Sequence, residues 1–512
     1  MKPAKPVWIL IILLAVLRFS LPFLLVSPDY ELHRDEFLYY QQGYHFDLSY
    51  LENPPLIGYL ARISSFFQNS EFMVKIWPGL FGAATLVICC LITALLGGRL
   101  FAQLLTGLSL IIGAFMRIHF LFQPNAPDIF FWTLSFYFII RYIHDPDARL
   151  LFGLFISLAL GCWSKYSIIF PVSALLLSLL MSKHRILFTK KEFYAALLCF
   201  LLIILPLFWW QYNHRFPLIH HMRELQETQL QFLSPLDFLK DQLLMLFPVL
   251  PVWAGGLTWL FREKQWRFLA NAFLLVLILL ILGRGKSYYS LGIYPVVLAA
   301  GAVAWEHWSE RKIWIRPVLA GVIIILTIAF IPLLLPVWEP PKLAAFYQKT
   351  GIAKTGLLKW EDQQNHSLPQ DFADMLGWKE LAQKSGNLFS RLPDSVKTNT
   401  VIYCRHYGQA GALKFYGTNP SFRNRVITEN GSFLLWIPES LWFKNLIYIG
   451  RDFPDKSDSV FLHFKKVTLV DSVSNPYSRQ QGDKIILFEE ADQEAWIKAR
   501  EGLKKMKNRF RR

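Results

Sequence analysis

The hydrophobic positions of this chain form long, nearly unbroken runs over its first two-thirds. An α-helix needs about 20 mostly apolar residues to cross a bilayer, and such runs recur up to residue 336. They predict membrane spans at 7–26, 75–96, 99–118, 128–143, 150–163, 167–182, 191–211, 241–261, 267–283, 288–305 and 316–336. The pattern therefore predicts a mainly α-helical, polytopic membrane protein with about 11 spans.

From about Trp338 the apolar runs shorten to the length of strands, and charged residues, glycine and asparagine return. The short runs predict buried strands at Thr400–Tyr403, Phe433–Ile437, Leu446–Ile449, Val467–Val470 and Ile485–Phe488. Helices are predicted around Asp371–Lys384 and Asp492–Lys507. We therefore expect a membrane domain at 1–337, with a long first outside loop at 27–74, and a small soluble α/β domain at 338–512.

Composition agrees with this pattern and argues against several classes of protein. Hydrophobic residues make up 54% of the chain and charged residues only 18%, whereas soluble proteins carry about 25% charged residues. The net charge of +16 does not indicate nucleic-acid binding, because the basic residues do not gather on one soluble face. The five cysteines form no CxxC or Cys/His pattern, so neither a disulfide framework nor a thiolate metal site is expected.

The distribution of lysine and arginine sets the expected orientation, because basic residues collect in cytoplasmic loops. Lys2 and Lys5 precede the first span, which is too long for a signal peptide and is expected to be a retained anchor. The same side then carries short basic connections with Arg99, Arg141, Arg149, Lys183, Arg185, Lys190, Lys191, Arg262, Lys264, Arg267, Arg311, Lys312 and Arg316. An odd number of spans would leave the C-terminal domain outside. Its basic end, residues 504–512, is either a solvated helix end or a contact for anionic headgroups.

The most informative segment is the first outside loop, which contains the sequence HRDEFLYY shortly after the first span. Asp35 and Glu36 lie there beside tyrosines, at the expected boundary between lipid and water. A carboxylate near apolar side chains can have a raised pKa and act as a general base, although adjacent acids can also be plain interface residues. Asn53 is followed by Pro54 and Pro55, which favour an extended backbone and can serve simply as a rigid start to the next helix.

Further candidates are expected on the same face of the membrane. Asp128, in the sequence QPNAPD, begins the fourth span, where an acid is either functional or caps the helix. Cations and tyrosine hydroxyls that suit a lipid-anchored phosphate, or else cations that snorkel without a partner, are Lys165, Arg284, Lys286, Tyr288 and Tyr289. Histidines of the outside loops, which could form a divalent-metal site with the acids although no ligand spacing is recognisable, are His33, His45, His214, His220 and His221.

In their order along the chain, these motifs resemble those of the GT-C superfamily of glycosyltransferases. The motifs are HRDEFLYY and ENPPL in the first loop, QPNAPDIFFW at the fourth span, SKY, and GKSYYSLGIYP. The resemblance is narrower to family 39, which includes protein mannosyltransferases and bacterial lipid A aminoarabinose transferases, and it covers roughly residues 7–336. The C-terminal segments CRHYGQAGALKFYG and ENGSFLLWIP are similar to the extra domain of some bacterial members.

The resemblance implies an enzyme of the bacterial plasma membrane. Such enzymes move a sugar from a polyprenyl-phosphate carrier to an acceptor outside the membrane, with inversion; the acceptor here would be a glycolipid, a polysaccharide or a protein. The resemblance also implies that Asp35, with Glu36 adjacent, is the catalytic base or orients the acceptor, and that Asp128 is the second family acid. The implied substrate contacts are Lys286, Arg284, Tyr288, Tyr289, Lys165, Asn53 and Arg34.

The leaving group of such a reaction is a phosphate monoester, which needs cations or hydrogen-bond donors but no nucleotide-diphosphate metal site. No cofactor is therefore required, although a divalent metal near His33 stays open. The aminoarabinose enzymes place a lysine where this chain has Asn53, which argues against aminoarabinose as the sugar.

Two other functional classes stay open from the sequence. A membrane transporter or lipid flippase would need charged residues deep in its spans and, often, related halves with broken helices. Here the charges crowd to one face and no internal repeat is recognisable. A non-catalytic assembly protein that has kept the fold would show the same pattern as the enzyme.

Overall fold

The computed structural model describes residues 3–228, 230–454 and 460–511, so that the basic positions Lys2 and Arg512 lie outside the described residues. Over the first two-thirds the structure is helical and packs around a large apolar core. The helices there are Trp8–Leu25, Arg34–Gln42, Leu56–Ser65, Glu71–Leu95, Leu100–Ile111, Ala114–Ile118, Asn125–His144, Ala148–Ser164, Ile169–Leu180, Lys191–Asn213, Pro217–Thr228, Pro235–Met245, Leu250–Arg262, Arg267–Leu282, Tyr294–Trp308 and Ile315–Leu334.

Each predicted span coincides with helical structure. By length and composition, five described helices could cross a membrane, and seven if each of two bent pairs is one span. The bent pairs are Tyr166–Leu180 with Lys183–Thr189, at 106°, and Pro235–Met245 with Phe247–Arg262, at 69°. The other predicted spans fall on Asn125–His144 and on three shorter apolar helices. The chain is a multi-pass membrane protein, and the count of about 11 spans stays a prediction.

The predicted span 99–118 is not one helix, because the chain turns at Gly113. Gly113 has φ +69°, and a Cβ there would lie 2.7 Å from a backbone carbonyl oxygen of a neighbouring helix. The turn that follows, Ala114–Ile118, is held by Arg18 of the first span, whose guanidinium donates to the carbonyl of Phe115 at 2.6 Å. This cation is buried inside a span, although the sequence indicated that charges crowd to one face.

The C-terminal region contains one five-stranded sheet in the order β2-β1-β3-β5-β4. Its strands are β1 (Thr400–Cys404), β2 (Val426–Ile427), β3 (Asn445–Gly450), β4 (Phe464–Ser472) and β5 (Lys484–Ala491). Strand β1 pairs in parallel with β2 and β3, whereas β5 pairs antiparallel with β3 and β4. The helices of this region are Pro340–Thr350, Gln370–Ala373, Trp378–Arg391, Asp394–Lys397, Tyr407–Tyr416, Pro420–Arg423, Phe433–Trp436 and Gln493–Lys507.

Three predictions for this region are wrong in detail. Phe433–Ile437, predicted as a strand, begins with a short helix, because Gly431 (φ +64°) turns the chain just before it. The helix predicted over Asp371–Lys384 is broken in two by Gly377, which has φ +85°. Val467–Val470 does form a strand, but this strand is mostly exposed rather than buried, since it lies at the edge of the sheet.

The C-terminal region packs directly on the first loop through two short helices, the loop helix (Arg34–Gln42) and the domain helix (Tyr407–Tyr416). The contact is close because the domain helix presents glycine: a Cβ added at Gly411 would lie 2.5 Å from the Cβ of Phe37. The ring of Phe37 is fully buried and packs edge-on against Trp378, with centroids 5.4 Å apart. The domain helix is therefore fixed against the segment that follows the first span.

Carboxylates of the first loop make further links to this region. Glu31 accepts from the backbone N–H of Trp378 at 2.7 Å, and burial raises the pKa of Glu31 to about 7. Glu52 accepts from the backbone N–H and the hydroxyl of Ser432, at 2.6 and 2.5 Å. Because these acids satisfy backbone donors of the other region, the first loop and the C-terminal region form one continuous structure.

We expect Gly411→Ala to destabilise the protein by about 1–3 kcal/mol, because the added methyl group would overlap Phe37. The matched control is Gly386→Ala in helix Trp378–Arg391, where an added Cβ has no atom within 4 Å. The control should raise stability by about 0.5–1 kcal/mol, because alanine favours a helix. Thermal unfolding in detergent compares the two, and equal effects would contradict the close approach.

Candidate functional site

Asp35 lies in the first turn of the loop helix, which begins with a reciprocal cap. The ring of His33 accepts from the N–H of Asp35 at 3.2 Å, and Glu36 accepts from the N–H of His33 at 2.7 Å. Acids in a first turn are favoured by the partial positive charge of the helix N-terminus. From this turn the two adjacent carboxylates reach different surroundings.

The carboxylate of Asp35 is held by three side chains and remains 23% exposed. Its Oδ1 accepts from the hydroxyl of Tyr407 at 2.7 Å and from Nε of Arg34 at 3.3 Å, and its Oδ2 accepts from Gln123 at 3.3 Å. Burial alone would raise the pKa of Asp35, but Arg34, His33 and Tyr407 outweigh burial and hold this pKa well below its ordinary value. These surroundings favour the ionised carboxylate and do not support the raised pKa suggested for Asp35.

Glu36 is fully buried and is engaged inside the protein. Its Oε2 accepts from the ammonium of Lys75 at 2.6 Å, and its Oε1 accepts from the backbone N–H of Phe122 at 2.6 Å. The ammonium of Lys75 also lies 4.0 Å from the ring centroid of Phe120. This geometry does not support the catalytic role predicted for Glu36, because a substrate cannot reach it. Glu36 instead ties the loop helix to the segment before helix Asn125–His144.

A continuous chain of hydrogen bonds connects Asp35 with Lys165. Gln123 donates to Asp35, Asn125 donates to the side-chain oxygen of Gln123 at 2.9 Å, and Lys165 donates to the side-chain oxygen of Asn125 at 2.6 Å. The ammonium of Lys165 lies 4.0 Å from the ring centroid of Tyr289. Segments that are far apart in the sequence thus meet at one place.

Asp128 is buried beside this chain. Its Oδ1 accepts from the indole of Trp132 and its Oδ2 from the hydroxyl of Ser167, each at 2.9 Å, and its charge attracts that of Lys165. It lies in the first turn of its helix, where the cap position is Pro124 and no side chain caps. The capping alternative is therefore wrong, and the carboxylate fixes side chains around Lys165.

Lys286 lies at the edge of a cavity of about 310 Å³ whose lining residues are Leu233, Asp241, Met245, Lys286, Ser287 and Tyr288. Burial lowers the pKa of Lys286, while the charges of Glu361 and Asp35 oppose the decrease. The ring of Tyr288 packs edge-on against that of Tyr289, with centroids 4.8 Å apart. The cavity therefore has a cation and a tyrosine in its wall, close enough to Asp35 for the two charges to interact.

Arg284 differs from the other predicted cations. Its side chain is exposed, and its backbone has φ +50°, in the turn after helix Arg267–Leu282. Within the described part of the chain, no side-chain hydrogen bond or ion pair joins Arg284 to Asp35, Lys165 or Lys286. The structure does not bring Arg284 into the network.

Acids and arginines of the C-terminal region extend the network. Asp374 is buried and accepts from Arg479 at 3.1 Å, with Arg34 at 3.9 Å. Arg479 also pairs with Glu361 at 2.8 Å. A second cavity, of about 250 Å³, is lined by Trp360, Asp362, His366, Arg451 and Arg479. Arg479 lines this cavity and also pairs with Asp374, so it connects the cavity with the surroundings of Asp35.

Asn53 was predicted to contact the substrate and His33 to bind a metal, and the structure places both side chains among other protein groups. Asn53 is buried and pairs with Gln42 through both amide groups, at 2.8 and 3.1 Å, which supports a structural role. His33 lies 3.9 Å from carboxylate oxygens of Asp371 and Asp374. The described residues contain no group of three or more His, Cys, Asp or Glu arranged to hold a metal ion.

The sequence analysis missed several members of the network. Gln123 and Asn125 lie inside the motif QPNAPD, and two amides at the start of a predicted span were a usable signal. Tyr407 lies in the segment CRHYGQAGALKFYG and Asp374 in the predicted helix Asp371–Lys384, but neither pattern indicated a residue of the site. Only the packing of the domain helix on the loop helix brings Tyr407 to Asp35.

Residues 52–210 match the family model described as dolichyl-phosphate-mannose-protein mannosyltransferase. The crystal structure of ArnT from Cupriavidus metallidurans bound to undecaprenyl phosphate is similar, with a TM-score of 0.60 and 12% identity, over 95% of this chain and 98% of that chain. Its apo state gives a TM-score of 0.61 and 12% identity, over 94% and 97%. The crystal structure of the Archaeoglobus fulgidus oligosaccharyltransferase, in complex with Zn and sulfate, has a TM-score of 0.48 and 12% identity, over 86% of this chain and 68% of that chain.

A search of curated protein sequences gives no match. At 12% identity the likeness to ArnT shows the fold, over nearly the whole of both chains. The family match and this shared fold confirm the resemblance found in the motifs and the predicted fold class, helical in the membrane with a small C-terminal α/β region.

Proposed function

We propose that this chain is a membrane glycosyltransferase of the GT-C fold, which moves a sugar from a polyprenyl-phosphate carrier to an acceptor of the cell envelope with inversion. Two likenesses support the class of donor. ArnT, which has the same fold, was crystallised with undecaprenyl phosphate, and the family matched over 52–210 is described by dolichyl-phosphate-mannose.

The observation that carries the proposal is the unbroken network from Asp35 through Gln123 and Asn125 to Lys165. It joins a partly exposed carboxylate to a cation, and Lys286 lies near enough for its charge to interact with Asp35. A transfer from a lipid phosphate needs both kinds of group, a carboxylate for the acceptor and cations for the leaving phosphate.

In the proposed reaction an acceptor hydroxyl or amine attacks the anomeric carbon of the sugar. The bond from this carbon to the phosphate oxygen breaks, and its electron pair leaves with the polyprenyl phosphate. The acceptor proton passes to Asp35. Because the pKa of Asp35 is low, the carboxylate first orients the acceptor and takes the proton late, once the attacking atom has become acidic.

The first cavity suits the phosphate of the donor. Lys286 and Tyr288 lie in its wall, and charge-assisted hydrogen bonds to a phosphate are stronger than neutral ones. The hydroxyl of Ser287 also lines the cavity, but it donates to Asp241 at 2.6 Å. We assign the acceptor to the second cavity, whose wall contains the stacked rings of Trp360 and His366 together with Arg451 and Arg479. The acceptor class, whether glycolipid, polysaccharide or protein, is left to experiment.

We place the protein in the bacterial inner membrane, with its N-terminus in the cytoplasm and residues 338–512 as an extracytoplasmic domain. The basic turns after helices Glu71–Leu95 and Asn125–His144 lie at the helix ends opposite Asp35. Basic turns favour the cytoplasmic side, which supports a site on the outer surface.

The proposal is tested by purified protein in detergent micelles, supplied with mannosyl polyprenyl phosphate and envelope lipids or peptides as acceptors. Mass spectrometry should detect an acceptor heavier by one sugar and free polyprenyl phosphate. Micelles have no second compartment, so turnover there separates a transferase from a transporter. Absence of any sugar-bearing product, for this and other carrier-linked sugars, would overturn the proposal.

We expect Lys286→Met to weaken binding of undecaprenyl phosphate by about tenfold, because a half-buried ammonium in the wall of the proposed phosphate cavity is lost. Binding of this lipid to protein in nanodiscs, measured by native mass spectrometry, provides the affinity. Lys264→Met is the matched control, since Lys264 is exposed in a basic turn at the opposite helix ends. Equal affinities of the two variants would remove Lys286 from the phosphate site.

A further inference from the structure

Tyr407 is the nearest partner of Asp35, although it belongs to the sheet-containing region and not to the membrane helices. Its hydroxyl donates to Oδ1 of Asp35 at 2.7 Å, across 372 positions of sequence. This is the shortest of the hydrogen bonds that reach the carboxylate; those from Arg34 and Gln123 are both 3.3 Å long.

The position of Tyr407 is fixed from several sides. It is the first residue of the domain helix, directly after the cap residue His406, and its backbone N–H donates to the side chain of Asn430 at 3.3 Å. A Cβ at the next residue, Gly408, would lie 2.7 Å from Cγ of Arg34. The hydroxyl therefore meets Asp35 because the domain helix is pressed onto the loop helix, not because a flexible side chain happens to reach it.

We propose that Tyr407 is a positioning residue of the transfer reaction, so that the C-terminal region forms part of the catalytic site and is not a separate binding module. The hydroxyl holds Oδ1, and the described residues leave Oδ2 with only longer contacts, to Gln123 at 3.3 Å and His33 at 4.0 Å. Oδ2 is thus the oxygen that meets the acceptor. This inference rests on the proposed function for its chemistry but on geometry alone for the contact.

A hydrogen bond from a neutral hydroxyl stabilises the ionised carboxylate. Removing it should raise the pKa of Asp35, even though Arg34 remains. The titratable and charged groups that interact with Asp35 are His33, Arg34, Tyr39, Lys286, Tyr288, Asp371, Asp374, His406 and Tyr407. Tyr407→Phe changes one of them without altering the charge of the site.

The first measurement does not depend on the reaction. Full-length protein in nanodiscs is treated with a water-soluble carbodiimide and an amine at pH 5, and peptide mass spectrometry follows the modification of Asp35. Carbodiimides react with protonated carboxyls, so a rise of about one unit in pKa should accelerate labelling about tenfold in Tyr407→Phe. The control Tyr403→Phe removes a hydroxyl from strand β1 that binds Glu429 at 2.9 Å, and it should label like the wild type.

The second measurement is the pH profile of sugar transfer from mannosyl polyprenyl phosphate. In Tyr407→Phe the rate should fall about tenfold at neutral pH. The acidic limb, which in the wild type lies well below neutral pH, should begin at a higher pH in the variant. A lower rate with an unmoved limb and unchanged labelling would mean that Tyr407 only supports packing, and it would overturn the inference. If the wild type transfers no sugar, the proposed function fails, while the labelling still decides whether Tyr407 controls Asp35.

Discussion

Asp35→Asn is expected to reduce the rate of sugar transfer by about 100-fold or more, because the variant keeps the shape of the side chain but cannot take a proton. The hydroxyl of Tyr407 can still donate to the amide oxygen, so the loop helix should keep its place. The rate is measured with mannosyl polyprenyl phosphate in micelles, and thermal unfolding confirms that the variant is folded.

The matched control for this variant is Asp29→Asn. Asp29 lies in the same loop and is exposed, and its carboxylate accepts from the hydroxyl of the nearby Ser27 at 2.6 Å. Transfer by this control should equal that of the wild type. Unchanged transfer by Asp35→Asn would exclude Asp35 as base or acceptor-orienting residue, whatever the donor.

The pKa of Asp35 also predicts how the enzyme responds to pH. The folded protein holds this pKa below its ordinary value, so the group is ionised at every pH above the ordinary range of an aspartate. Its contribution to stability is present above that range and is lost as pH falls toward the folded-state pKa. Activity should therefore show no acidic limb from Asp35 near neutral pH.

The membrane helices could be predicted from the sequence because a single property, the length of an apolar run, is enough to identify a span. Each predicted span falls on helical structure, since lipid leaves the backbone no alternative to internal hydrogen bonding. The turn at Gly113 could not be predicted, because the close approach that requires a glycine there involves a carbonyl oxygen of a helix more than a hundred residues later. The short helix after Gly431 was missed for a related reason, since an apolar run of that length fits a strand equally well.

The site could be predicted where its groups sit in one local motif. Hydrogen bonds and ring contacts join Asp35, Lys165 and the two tyrosines. Lys286 and Asp128 lie near enough for their charges to interact with Asp35 and Lys165 respectively. Local sequence could not separate Asp35 from Glu36, because the two acids are neighbours of the same type. The two acids differ because their side chains leave the loop helix in different directions. Asp35 faces solvent and Tyr407, whereas Glu36 faces Lys75.

Lys75→Met is expected to have the largest effect on stability, about 3–5 kcal/mol, because it leaves the carboxylate of Glu36 buried without its cation. Glu36 would keep the backbone donors of His33 and Phe122, which cannot replace a full charge. The fraction of monodisperse protein after extraction and the apparent melting temperature in detergent measure the loss.

The double variant Glu36→Gln/Lys75→Met removes both charges and should recover much of this stability, since the amide oxygen can still accept from Phe122. An exposed pair provides the comparison: Lys379 and Glu71 lie 2.8 Å apart on the surface, and Lys379→Met should cost less than about 1 kcal/mol. If the single and double variants had the same apparent melting temperature, the unpaired buried charge of Glu36 would not be the cause of the loss of stability. Recovery in the double variant would mean that this buried pair anchors the loop helix that presents Asp35.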